Sequence, residues 1–189
     1  MAYYCLRGSS GVDTTNLQLF SLERAAADWN ELTEVLADYG EESVSELQER
    51  LTFVVSSLGL SISQLLGQNT PSPNKEKIDQ PRELLDMILK QPPIDRTERR
   101  RLTSAFGEFI DYYDAVRHFG RSKDDQKHRI LDQLSYDKVK RFCQMTIDIW
   151  DAVLLIYRQD PDSDLADFAS VSEMVEFEGL VKVVPVHSR

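Results

Sequence analysis

The chain has 189 residues, 41% of them hydrophobic and 29% charged, the composition of one soluble globular domain that can bury a core without disulfide or metal staples. A formal net charge of −10 excludes a protein that coats nucleic acid without selectivity. No apolar run approaches the roughly 18 residues of a membrane span, and the opening residues MAYYCLRGSSG lack the apolar stretch of a signal peptide, so a cytoplasmic protein without membrane contact is expected.

Apolar residues at helical spacing run through most of the chain. Trp29, Leu32, Leu36 and Tyr39 predict a first helix over about 16–39, stopped by Gly40. Val44, Leu47, Leu51, Val54, Val55, Leu58, Ile62, Leu65 and Leu66 predict a second over about 43–66, with Ser43 and Glu46 as a capping box. Gly59 lies inside it at a cost of about 1 kcal/mol against alanine, and a tight helix crossing would explain it. Residues 68–81, rich in turn formers, read as a mobile loop. A short helix over about 82–90 follows and is ended by Pro92-Pro93.

Asp95 and Glu98 can cap a third long helix, about 95–119, whose stripe is Leu102, Phe106, Phe109, Tyr113 and Val116. A last helix, about 135–158, begins after Ser135 and carries Val139, Phe142, Cys143, Thr146, Ile149, Trp150, Val153 and Tyr157. Asp160 to Asp167 is acidic, and the β-branched run 180–186 is composed to form one short strand if it meets a partner edge. A loosely ordered tail is the other reading. The expected architecture is therefore all-α. A four-helix bundle with an extra short helix fills residues 1–159, and an acidic linker and C-terminal tail, with a candidate strand, fills 160–189.

Few motifs carry chemistry. The sequence has no Gly-rich phosphate loop, no HExxH and no GxSxG. Cys5 and Cys143 form no CxxC or Cys/His ligand pattern, so neither a metal nor a cofactor is expected. Carboxylate pairs such as Glu41/Glu42 and Asp124/Asp125 read as solvation. Charge is uneven: Arg96 to Arg141 holds twelve Lys or Arg against eight Asp or Glu, net +4, which leaves −14 for the rest. An acidic frame around a basic stretch suits one defined phosphate target or an acidic partner. Within it, Arg99-Arg100-Arg101 is either a solvated helix face or a dock for RNA phosphates or an acidic partner.

The residues that most invite a functional reading lie in YYDAVRHFGRSKDDQKHR, 112–129. The stripe through Tyr113 and Val116 continues to Arg117, which is expected near the core face in the helix's last turn and within reach of Asp114. There it could snorkel and favour the helix C-terminus, or be held in a cleft to bind phosphate. His118 and His128 bracket the polar stretch. Histidine can accept the proton of an attacking 2′-hydroxyl and arginine can stabilise the phosphorane, a metal-independent cleavage that leaves a cyclic phosphate.

A bundle with an arginine, four to six residues and a histidine near the end of its third long helix resembles the HEPN superfamily. Arg121-Ser-Lys-Asp-Asp-Gln-Lys-His128 has six intervening residues. The polar residue that family members often carry after the arginine is found in Arg117-His118, whereas Ser122 follows Arg121. The resemblance implies catalysis by Arg121 and His128 assisted by Arg117 and His118, an RNA substrate and a homodimer that joins two motifs across a cleft. It also implies a setting such as toxin–antitoxin or antiphage defence. Noncatalytic members bind a partner protein, and the split motif keeps that reading open. A small-molecule or nucleotide-sensing bundle with a pocket lined by Tyr112, Arg117 and His118 is the third.

Overall fold

The apolar stripes become helices close to their expected bounds. The computed structural model describes residues 14–39, 44–67, 79–118, 129–157 and 170–180. Its long helices are α1 (Thr14–Tyr39), α2 (Val44–Gly67), α4 (Arg96–Arg117) and α5 (Tyr136–Tyr157), with the short α3 (Asp79–Ile88) between α2 and α4. The chain is all-α, with no strand among the described residues. No helix is long and apolar enough to cross a membrane. The expected strand falls, apart from Leu180, outside the described residues, as do Ser43 of the capping box and most of the expected loop 68–81.

Side-chain chemistry sets the helix ends. Asp95 precedes α4 in extended conformation, and its carboxylate accepts from the backbone N–H groups of Thr97 and Glu98 at 2.6 and 2.9 Å. The Ser135 hydroxyl accepts from Lys138 N at 3.3 Å at the start of α5. α3 begins three residues earlier than the stripe suggests, at Asp79, with Pro81 in its first turn. Proline is tolerated there because the first-turn N–H groups have no intrahelical acceptor.

α1 and α2 pack most extensively, and they run antiparallel: Ser21 bonds Gln64, Ser57 bonds Asp28, and Arg50 meets Glu31 at 3.0 Å. α2 also packs on α3, α4 and α5, and α4 on α3 and α5. Leu51, Val54, Val55, Leu58 and Ile62 of α2 meet Leu102, Phe106 and Phe109 of α4 and Val139, Phe142, Ile149 and Trp150 of α5 in one core. The fully buried Ser61 and Thr146 are satisfied, since Trp150 Nε1 donates to Ser61 Oγ at 3.2 Å and Thr146 bonds the Phe142 carbonyl at 2.9 Å. Gly59 is the close crossing its position suggests: a Cβ there would overlap the Tyr113 ring of α4.

Residues 170–180 lie in the segment expected to be linker and tail, yet they pack into this core. Val171, Val175 and Phe177 are buried beside a 3-10 turn, Val171–Glu173, that packs on α5. Asp151 of α5 accepts from Val171 N at 2.6 Å. On the other side, Asn30 donates to the Glu176 carbonyl and accepts from Glu178 N, at 3.0 and 2.8 Å, while Trp29 Nε1 donates to the Glu178 carbonyl at 2.9 Å. The Trp29 ring stacks on Tyr136 at 5.0 Å. This segment therefore joins α1 to α5 by backbone hydrogen bonds and three apolar anchors. Its irregular backbone explains why no period in the sequence announces it.

Candidate functional site at the C-terminal end of α4

Along α4, Phe106, Phe109 and Tyr113 follow at three- and four-residue spacing on one face. Their rings form a ladder, with centroids 6.2 and 5.9 Å apart and interplanar angles of 21° and 10°. Phe142 of α5 closes on Phe109 edge-on at 5.2 Å. Phe106 and Phe109 are buried, whereas Tyr113 is only partly so. The ladder thus emerges from the core at its C-terminal rung.

Arg117 continues the ladder. Its guanidinium carbon lies 5.6 Å from the Tyr113 ring centroid, within cation–π range. Arg117 is exposed although it lies on the stripe expected to face the core. The helix ends with this residue, so the stripe has run past the packed core, and the side chain folds back over the preceding turn as helical side chains do. His118 caps the helix, its backbone N–H donating to the Asp114 carbonyl at 3.1 Å. Its Nε2 lies 3.2 Å from Asp114 Oδ1.

Beside this pair is a cleft of about 110 Å³ between α2, α3 and α4. Phe106, Phe109, Ile110 and Tyr113 form its apolar floor, Gly59 and Pro81 its walls, and Ser63, Asp114 and Arg117 its polar rim. The spacing Phe106-Phe109-Tyr113-Arg117, an aromatic run ending in a cation, is the signal in the sequence that could have located it.

The other candidates separate. Tyr112 is buried on the α5 side, where its hydroxyl accepts from Lys138 Nζ at 2.6 Å and its ring lies 4.6 Å below the same ammonium. Tyr113, not Tyr112, therefore lines the cleft with Arg117. The hydrogen bonds to Tyr112 and then to Glu108 outweigh burial and raise the Lys138 pKa. In the basic run, Arg99 Nε lies 3.4 Å from Asp86 of α3. Arg101 holds Glu98 bidentately, at 2.9 and 2.7 Å, and reaches Asp148 of α5 at 2.8 Å. Two of the three arginines thus serve contacts between helices. Cys143 is a buried free thiol, and burial pushes its pKa well up. Such a thiol is a poor nucleophile. Arg121, His128, Asp124, Asp125 and Cys5 lie outside the described residues.

No group of His, Cys, Asp or Glu suited to a metal ion occurs among the described residues. The chain matches no family model, no curated protein and no solved structure.

Proposed function

We propose that the chain is a HEPN-like protein in which α1, α2, α4 and α5 make a four-helix bundle, and that it cleaves RNA without a metal at the C-terminal end of α4. The supporting observation is that an exposed Arg117, steadied over the Tyr113 ring, is followed at once by a histidine that a carboxylate orients. In this reading His128 accepts the 2′-hydroxyl proton as O2′ attacks the adjacent phosphorus. Arg121 stabilises the charge on the phosphorane, and a protonated His118 gives its proton to the departing 5′-oxygen. Arg117 binds a phosphate oxygen. The products are a 2′,3′-cyclic phosphate and a 5′-hydroxyl. A homodimer bringing two such ends together, in a toxin–antitoxin or antiphage setting within the cytoplasm, belongs to the same proposal.

The test is cleavage of mixed RNA in EDTA by wild type and by Arg117→Ala, His118→Ala, Arg121→Ala and His128→Ala. Loss of a general acid or base lowers the rate by about 10²–10⁴-fold. Retention of cleavage by His128→Ala and Arg121→Ala would remove the mechanism.

A second reading is a noncatalytic helical module that binds a partner protein. It is favoured by the engagement of Arg99 and Arg101 with carboxylates, which leaves less cationic surface for RNA. Wild-type protein that forms a stable complex with a partner and turns over no RNA would select it.

A further inference from the structure

The geometry points to the cleft between α2, α3 and α4 as the seat of a single-ring nucleobase, a pyrimidine, whose own 3′-phosphate is held by Arg117. The ligand's identity rests on the RNA reading above, but the cleft does not.

Shape comes first. An apolar cavity of about 150 Å³ accommodates benzene. A cleft of about 110 Å³ takes one six-membered ring with an edge left in solvent, whereas the second ring of a purine would have to stand outside it and gain no apolar contact. Chemistry comes second. The floor is aromatic and aliphatic, built from Phe106, Phe109, Ile110 and Tyr113; the first three are nearly covered and supply apolar contact, while the part-exposed Tyr113 ring and the Arg117 guanidinium are the kinds of surface on which unstacked bases of single-stranded RNA are held. The rim is polar on the side of Ser63, Asp114 and Arg117, so the ring's heteroatoms find hydrogen-bonding groups there. Charge comes third. Arg117 lies back over Tyr113 and puts a cation at the rim of the cleft. A purely apolar occupant would leave that cation unused, whereas a ring carrying a phosphate uses both parts of the site.

Gly59 is what keeps the cleft this shape. Because it has no Cβ, the Tyr113 ring lies against the α2 backbone instead of swinging out across the opening.

The test is calorimetric titration of the full chain with uridine 3′-monophosphate, adenosine 3′-monophosphate and uridine. Expected is saturable binding of the pyrimidine nucleotide, at least tenfold weaker binding of the purine nucleotide, and at least tenfold weaker binding of the nucleoside. Ser63 is exposed on the rim, so Ser63→Trp plugs the cleft without touching the core and should abolish binding. Ser104→Trp, an exposed position of α4 outside the cleft, should not. Arg117→Gln should bring the nucleotide down to the affinity of uridine. Equal affinity for purine and pyrimidine, or undiminished binding in a folded Ser63→Trp, overturns the inference, and the first comparison needs no variant. No binding of any of the three overturns it as well. The cleavage assay is scored separately: cleavage without nucleotide binding sinks the cleft and keeps the nuclease, whereas pyrimidine binding without cleavage does the reverse.

Discussion

Gly59→Ala tests the crossing of α2 and α4 directly, because two effects of opposite sign act at one atom. In an isolated helix, replacing glycine by alanine gains about 1 kcal/mol. Here the new methyl would overlap the Tyr113 ring, including its ring carbon nearest the backbone, so a small side-chain rotation cannot clear it. Overpacking of this kind costs about 1–3 kcal/mol. The clash extends along one edge of a ring already stacked on Phe109, so the upper half of that range applies and the net loss is about 1–2 kcal/mol. For a chain of this size that lowers Tm by roughly 2–8 °C. In a Tyr113→Ala background the obstacle is gone, and the same Gly59→Ala change should instead stabilise by about 1 kcal/mol. The coupling between the two sites is then about 2–3 kcal/mol. Urea and thermal unfolding followed by helical circular dichroism would measure all four proteins. An equal effect of Gly59→Ala in both backgrounds, or a stabilised single variant, would refute the crossing.

Arg101→Ala should destabilise by about 1–2 kcal/mol, since Asp148, only 10% exposed, loses its cation, while Arg100→Ala, at an exposed position, should stay within about 0.5 kcal/mol in the same unfolding assay. Lys138 has a raised pKa in the fold, so its charged form stabilises the native state below the ordinary value of 10.5 and that contribution fades as pH climbs through the raised value. The stability gap between wild type and Lys138→Met should therefore narrow from pH 9 to above pH 11, and a constant gap would contradict the Tyr112 contact. Asn30→Ala removes both hydrogen bonds to the backbone at Glu176 and Glu178 and should cost about 1–3 kcal/mol. It should also speed hydrogen exchange at Glu178, which native-state exchange mass spectrometry would detect.

What the residues disclose in advance follows from how local the cause is. Helix positions depend on spacing and caps, so Asp95, Ser135 and the stripe of α2 could be placed from the sequence, and even the close approach at Gly59 was visible as a glycine where none is favoured. Arg117 could be placed on the Tyr113 stripe but its exposure could not be read, because periodicity gives the face of a helix but not where the neighbouring helices stop covering it. The partners of Arg99 and Arg101 are carboxylates on other elements, which no local pattern reveals. The buried segment 170–180 is held largely through backbone groups whose acceptors and donors are the same for every residue type. At the site, the Arg117–His118 neighbourhood was legible and the cleft beside it was not. A cleft is the space left between three helices, and its shape depends on their packing.

The bond between the Trp29 indole and the Glu178 carbonyl spans 149 residues, and this has a bearing on synthesis. At about 5–20 residues per second, α1 emerges from the ribosome roughly 7–30 s before the segment that covers its tryptophan is made. The α1–α2 hairpin must spend that interval with one flank bare, a natural client for a chaperone. Because contacts so distant in sequence form late, the closing of residues 171–178 over Trp29 should be the last event of folding, and the fluorescence of Trp29 would time it.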